Sequence, residues 1–291
     1  MLKEFKKQHA WQIREFFFTL RLLRRNPSAV AGFIVITAMV LMAFSAPYLA
    51  PYDPIRIDLK ARLSPPSRDH IFGTDELGRD ILSRIMHGAR ISLRIGVLVI
   101  LISGGLGALI GGVSGYVGKG SDNIIMRIMD VILSFPPLVL AMALAAAMGP
   151  NLNNAILAVA FVMIPKFARM VRGEALVVKE KQFIAAARSS GAGSMWIIVH
   201  HVVPNCLSSV IVLATLILGE TILIAASLSF IGLGAQPPSP EWGAMISVGR
   251  KFLMDQWWYA TFPGLFILLT VIGFNIFGDA LRDILDPRIR R

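Results

Sequence analysis

The sequence has little charge and almost no cysteine. Of its 291 residues, 16% are charged and 55% hydrophobic, whereas an ordinary soluble domain carries about 25% charged residues. That leaves too little polar surface to solvate a chain of this length. The single cysteine, Cys206, has no intrachain disulfide partner, and no CxxC or Cys/His ligand spacing occurs. Redox chemistry and a structural zinc site therefore lack support. No serine, histidine and carboxylate fall into a hydrolase motif, so nothing argues for an enzyme. Acidic residues are outnumbered 18 to 29 by Lys and Arg, a net charge of +11. The basic residues punctuate apolar runs rather than forming a stripe among exposed aromatics, which fits lipid headgroups and argues against a nucleic-acid partner.

Long apolar runs are what the sequence does have. A bilayer core about 30 Å thick needs about 20 apolar residues in a helix. Residues 1–28 mix Lys3, Lys6, Lys7, Arg14, Arg21, Arg24 and Arg25 with Trp11, Phe16, Phe17 and Phe18, as a cytoplasmic amphipathic segment does. Residues 29–50 read as an uncleaved first transmembrane helix, stopped by Pro47, Pro51 and Pro54. Residues 51–90 read as a polar external segment. The core, 91–281, holds spans near Ile95–Val117, Val131–Met148, Asn154–Ala168, Leu207–Leu233 and Ala260–Phe277, with a basic cytoplasmic loop over 171–204. Residues 282–291 form a cytoplasmic tail. The fold expected is all-α, a polytopic membrane protein of about six transmembrane helices with both termini in the cytoplasm. The Arg169–Arg188 loop and the tail arginines Arg282, Arg288, Arg290 and Arg291 then obey the positive-inside rule. Arg56, Lys60, Arg62, Arg68, Arg79, Arg84 and Arg90 all lie outside on this topology, which runs against the rule, but a long loop translocates largely regardless of charge.

Several constellations carry more than one reading. Gly107, Gly111 and Gly115 recur every four residues and stack on one helix face, for static packing or for a sliding contact. Gly118-Lys119-Gly120 resembles the end of a phosphate loop, yet Val113 and Gly120 occupy positions that need glycine and Ser/Thr, so no ATP site is expected. Glu220 falls inside the fifth span, where an unpaired charge costs several kcal/mol. It faces either a polar cavity or a hydrogen-bonding neighbour, and Ser227 and Ser229 follow it as pathway candidates. Arg127 and Asp130, three apart, are expected to pair on one helix face. Pro136 and Pro137 predict a kink in the third span. His200 and His201 are adjacent and diverge on a helix, which is poor geometry for a metal. Asp75, Glu76 and Asp80 do not match a calcium loop.

The segment Phe183-Ile184-Ala185-Ala186-Ala187-Arg188-Ser189-Ser190-Gly191, followed by His201-Val202-Val203-Pro204, predicts two short helices about a glycine turn lying across the membrane face. The small side chains Ala185, Ala186 and Ala187 admit close approach by another protein, or the segment lies on headgroups.

The spacing of Ala186-Ala187, Gly191 and Pro204 resembles the EAA loop of ATP-binding-cassette importer permeases, with Ala185 in place of the usual glutamate, as the dipeptide and oligopeptide branch tolerates. Phe72-Gly73-Thr74-Asp75-Glu76-Leu77-Gly78-Arg79-Asp80, the run Ser227–Gly243, and Gly278-Asp279-Ala280-Leu281-Arg282-Asp283-Ile284-Leu285-Asp286-Pro287 resemble the C-type permease of a dipeptide or oligopeptide importer. The resemblance implies the MetI-like importer permease fold in a bacterial inner membrane. It also implies a similar sister permease, two cytoplasmic ATPases that bind ATP and Mg, and an extracytoplasmic solute-binding protein. This chain itself would hold no cofactor and form half of the pathway. Ala185, Ala186, Ala187, Arg188, Gly191, His201 and Pro204 would couple to an ATPase. Asp75, Arg79, Asp80, Gln236, Pro237, Glu241 and Trp242 would meet the binding protein or shape an outer gate. A proton-coupled secondary transporter using Glu220 is the alternative. Relatives handle dipeptides, longer peptides, glutathione or metal complexes.

Overall fold

The computed structural model describes residues 26–285 together with Leu22 and Arg24. The surface segment expected over 1–28 and the tail beyond Leu285 fall almost entirely outside the described residues. Within them the regular structure is helical, as a bilayer demands, because a helix satisfies its own backbone N–H and C=O groups. The helices are α1 (Pro27–Leu49), α2 (Ile81–Val117), α3 (Lys119–Leu133), α4 (Pro137–Met148), α5 (Leu152–Val178), α6 (Gln182–Ser189), α7 (Ser194–Ile197), α8 (Val203–Ile231), α9 (Trp242–Gly249) and α10 (Trp258–Leu285). A π turn over Ile198–Val202 joins α7 to α8, making Ser194–Ile231 one rod of 38 residues. Five helices are long and apolar enough to cross a membrane, and α3 and α4 pass the same test together although bent by 92°.

The seam between α2 and α5 decides whether that bent pair crosses or turns back. Gly107 faces Phe167 and the Ile164 carbonyl, Gly111 faces Ala168 and Val171, and Gly115 faces Ala175 and Arg172. Residue numbers rise together on both helices, so α2 and α5 run parallel. The chain between Val117 and Leu152 must then return the full height of the bundle. At 1.5 Å per residue α3 and α4 are about 22 and 18 Å long. Each inclined by about 45°, they climb roughly 29 Å, close to the bilayer core. Counted as one broken crossing, they bring the crossings among the described residues to six. The break follows from Phe135 and Pro136 each preceding a proline, which drives both out of helical geometry; Pro136 is extended, with ψ 128.

The remaining helices close around this seam. α8 runs antiparallel to α2, with Gly96 against Ile222 and Gly112 against Ile198 and Val203. α10 lies between α8 and α1: Gly219 meets Val271, Gly278 meets Leu216, Gly32 meets Phe277 and Gly273 meets Val35. Asn26 and Leu285 therefore sit at one end of the bundle, with residues 179–203. The polar segment 50–80 and residues 232–257 sit at the other. Asn26 caps α1 by accepting from the N–H groups of Ser28 and Ala29 at 3.0 and 3.3 Å.

Several boundaries differ from those read in the sequence, each for a local reason. α1 continues through Pro47 to Leu49, because only its last residues follow the proline and the Ala50 N–H still reaches Ala46. Residues 81–90, expected to be external, are the opening turns of α2. Their charge at Arg84 is taken up by the Pro54 carbonyl at 2.9 Å and by Asp75. α5 continues past Ala168 to Val178, since Arg169 and Arg172 are bridged to carboxylates on α3. The loop expected over Arg169–Pro204 thus contracts, and its second short helix is the start of the α8 rod.

The glycine seam has a direct test. A Cβ at Gly107 would lie 2.5 Å from the Phe167 Cβ and 2.8 Å from the Ile164 carbonyl, whereas one at Gly105 would meet nothing within 4 Å. Gly107→Ala is expected to destabilise by about 1–3 kcal/mol, as overpacking does, and Gly105→Ala to leave the protein unchanged. Melting of the detergent-solubilised protein reads the difference.

Candidate functional site

One candidate site is the surface made by α6 and α7. Ile184 on α6 is buried with Ile197, Ile198 and Val202 against Tyr116, Val171, Ala175, Val178 and Cys206. This apolar base fixes the short helices to the ends of α2 and α5. Arg188 adds a polar tie, donating from Nε to the Tyr116 hydroxyl at 2.9 Å with its guanidinium 4.9 Å above the ring. α6 ends in a Schellman turn: the Gly191 N–H donates to Arg188 and the Ala192 N–H to Ala187. Gly191 has φ +82 and open space where a side chain would stand, so glycine is required for backbone conformation rather than for room.

Above that base the outward surface is small in the middle and aromatic at the rim. Ala185 and Ala186 are exposed and Ala187 half-buried. Phe183, Met195 and Trp196 are exposed beside them. Trp196 stacks on His200 at 4.7 Å and meets His201 edge-on at 5.1 Å, while Phe183 lies 6.0 Å from His201. His201 thus links the two short helices. Pro204 is exposed in the first turn of α8, downstream of residues that are already helical. The rim residues Met195 and Trp196 escaped the sequence reading, although large apolar side chains in a basic connection were a visible signal.

A second feature lies midway along the bundle. Glu220 on α8 accepts from Lys166 Nζ on α5 at 2.6 and 2.8 Å, and the two side chains are 40% and 27% exposed. Lys166 was passed over in the sequence, although a lysine within Ile164-Pro165-Lys166-Phe167 is the same signal that singled out Glu220. Two further bases follow it on α5. Arg169 pairs with Asp130, which corrects the expected Arg127–Asp130 pair. Arg172 grips Asp122 through Nε at 2.7 Å and Nη2 at 2.6 Å, and the Ser114 hydroxyl also donates to Asp122. Ser209 on α8 donates to Glu174 on α5. Ser209, Glu220 and Ser227 fall eleven and seven residues apart, so they share one face of α8. Ser229 does not: it is buried and accepts from the Ala235 N–H at 3.1 Å.

The far end is built from the residues expected at an outer gate, and most of them are internal. Asp75 is buried, accepting from the N–H groups of Leu77 and Arg79 and from Arg79 Nε at 2.6 Å. Asp80 caps α2 through the N–H and hydroxyl of Ser83 and holds His70 at 3.0 Å. Trp242 is fully buried and donates to the Ile85 carbonyl at 3.0 Å. Glu241 caps α9 by accepting from the Ala244 N–H at 2.8 Å. Burial pushes its carboxyl above the ordinary carboxylate range, opposed by the N–H groups of Gly243 and Ala244 and the Ser229 hydroxyl. Gln236 and Pro237 remain exposed. Among the described residues, no group of three His, Cys, Asp or Glu side chains is placed to hold a metal ion.

Comparison with known proteins covers nearly the whole chain. Residues 107–291 match the family described as binding-protein-dependent transport system inner membrane component. Residues 18–66 match the N-terminal TM domain of oligopeptide transport permease C. The chain is 52% identical over 267 residues to a probable D,D-dipeptide transport system permease protein of Escherichia coli (strain K12), covering 92% of this chain and 90% of that protein. It is 45% identical over 268 residues to a dipeptide transport system permease protein of Alkalihalophilus pseudofirmus, covering 92% and 88%. It is also 45% identical over 278 residues to a glutathione transport system permease protein of Pectobacterium atrosepticum, covering 95% and 91%.

The buried Glu241 carboxyl gives the far end a pH dependence whose sign is fixed. A raised folded-state pKa means that its contribution to stability is complete below the unfolded value near 4.5 and is lost as pH rises through the folded value. The melting temperature is expected to fall as pH rises above the unfolded value near 4.5. Glu241→Gln, which keeps the acceptor for Ala244 without the charge, is expected to flatten that slope.

Proposed function

The chain belongs to the family of binding-protein-dependent transport system inner membrane components, and from that premise we propose that it is a permease subunit of an ATP-driven importer of small peptides, forming half of the passage. The observation that carries the reading is the α6–α7 surface, a small-residue centre with an aromatic rim mounted on the end of the α8 rod. The relatives' names point to peptide substrates: dipeptides, D,D-dipeptides and glutathione.

The positive-inside rule supports a cytoplasmic position for that surface, which carries Lys179, Lys181 and Arg188 and lies at the same end of the bundle as Asn26. There Ala185 and Ala186 would meet a groove on one of two ATPases, which hold ATP and Mg, with Phe183, Met195 and Trp196 packing around the contact. A similar permease would complete the passage, and an extracytoplasmic binding protein would deliver the solute. Gln236 and Pro237 are the exposed candidates for that delivery contact, while Asp75, Arg79, Asp80, Glu241 and Trp242 hold the outer end in shape.

Mechanical coupling follows from stiffness. The Ser194–Ile231 rod is about 57 Å long at 1.5 Å per residue, so a tilt imposed at its inner end is felt at the Glu241–Trp242 end. The Ser209–Glu174 hydrogen bond ties α5 to this rod near its inner end, so the two helices move together. The proton-coupled alternative lacks support. Glu220 is already paired with Lys166, and the family is one of binding-protein-dependent systems.

Reconstitution with a sister permease, two ATPases and a binding protein tests the reading by requiring ATP-dependent uptake. Within that system Gly191→Val is expected to leave insertion and ATP hydrolysis in place while uptake falls about tenfold, since strain in this backbone region costs of order 1–3 kcal/mol. Gly191→Asn, which tolerates positive φ, is expected to retain much more uptake. Parental uptake by the valine variant at normal abundance refutes the coupling role.

A further inference from the structure

Resting on the permease reading, we propose that Lys166 and Glu220 form a recognition point for zwitterionic peptides within the passage, Lys166 taking the terminal carboxylate and Glu220 the terminal ammonium. Theirs is the one ion pair among the described residues that joins α5 to α8. It lies near the middle of both helices, with the side chains 27% and 40% exposed. A partly open charge pair at that depth is poorly placed against lipid and belongs beside water or another polar surface.

The pair is built to exchange partners. The Asp122 carboxylate is held by two Arg172 nitrogens and by Ser114, a fixed arrangement of three donors. Lys166 and Glu220 bond only to each other among the described side chains. Lysine carries a point charge on a flexible four-carbon stem, so its ammonium can swing away from the carboxylate. The charged ends of an extended dipeptide lie at most about 7 Å apart, two residue lengths, within the travel of that stem. A zwitterion entering the gap leaves each protein charge with an opposite partner. A solute carrying one charge strands either the ammonium or the carboxylate, and a polar group left unpaired in such a site gives strong discrimination.

One neighbouring residue extends the site along α8. Ser227 lies two turns from Glu220 on the same face of α8 and continues the polar track.

The test uses the complete reconstituted transporter and three probes: L-alanyl-L-alanine, its carboxamide and its N-acetyl derivative. For each probe the parent carries, the ratio of variant to parent uptake cancels the preference of the binding protein. Glu220→Gln is expected to lower uptake of the free dipeptide and the carboxamide at least about tenfold, sparing the N-acetyl derivative. Lys166→Met is expected to lower the free dipeptide and the N-acetyl derivative alike, sparing the carboxamide; a tenfold effect is the scale of one charge-assisted hydrogen bond. The double variant Lys166→Met, Glu220→Gln leaves no stranded charge and serves as the folding control. If it carries the free dipeptide within about twofold of the parent at matched abundance, the pair is structural and the proposal is overturned. Losses that ignore which terminus is blocked overturn it as well. Failure of the parent to take up any probe with ATP present refutes the permease reading beneath it, an outcome distinct from parental uptake without charge selectivity.

Discussion

The close parallel contact of α2 with α5 is the constraint on which the rest of the bundle depends. Gly107, Gly111 and Gly115 let the backbone of α5 approach where any side chain would collide with Phe167, Ala168 or Ala175. Two parallel helices so close in sequence require the intervening chain to run back across the bundle. The break at Phe135–Pro136 lets it do so in two inclined pieces rather than one straight helix. The same seam sets the level of Tyr116 beside Arg188, and with it the position of α6. In a membrane, where lipid tails give no hydrophobic drive between helices, such backbone proximity is a main source of packing energy.

Charge is then distributed along α5 so that each basic residue reaches a different neighbour. Lys166 reaches α8, while Arg169 and Arg172 reach two levels of α3. The two arginine pairs hold the amphipathic α3 against α5 near the end that carries the short helices. Arg172 is bidentate and reinforced, and Lys166 is held by a single carboxylate. Rigidity and adaptability thus sit one helical turn or two apart on the same element. The α8 rod carries both the short-helix surface and the mid-bundle pair, so the two belong to one continuous helix.

At the far end most residues of the motif read as a contact, a gate or loop architecture are internal to the fold. Asp75, Arg79 and Asp80 fold the segment between α1 and α2 into a cap, with Asp75 accepting backbone and guanidinium donors at once. Trp242 reaches across to Ile85, and Trp258 and Tyr259 reach back to Thr74 and Glu76. Charged groups this well buried need full sets of partners, and the short spacing of Phe72–Asp80 supplies them locally. A cap of this kind ties the outer ends of α2, α9 and α10 to one another.

Composition and apolar run length alone determined that the chain lives in a membrane as helices, because uninterrupted apolar runs of about 20 residues suit a helix that satisfies its own backbone, whereas barrel strands alternate apolar and polar residues. The order of six crossings, the proline break, the tight turn at Gly191 and the importer family were also legible, since each rests on local spacing. Helix ends were not: the sequence reading stopped α5 at Ala168 and started α2 at Ile95, because charges at Arg84, Arg169 and Arg172 look like boundaries until their partners are known. Those partners, the Pro54 carbonyl for Arg84 and Asp130 and Asp122 on another helix for the two others, are distant in sequence, and only packing brings them within reach. The same holds for Glu220. Its unusual position was plain in the sequence, but that Lys166 answers it, and that the pair stays partly open, was decided by the tertiary arrangement of α5 and α8, because the balance between a charge and its surroundings is a property of three-dimensional distance.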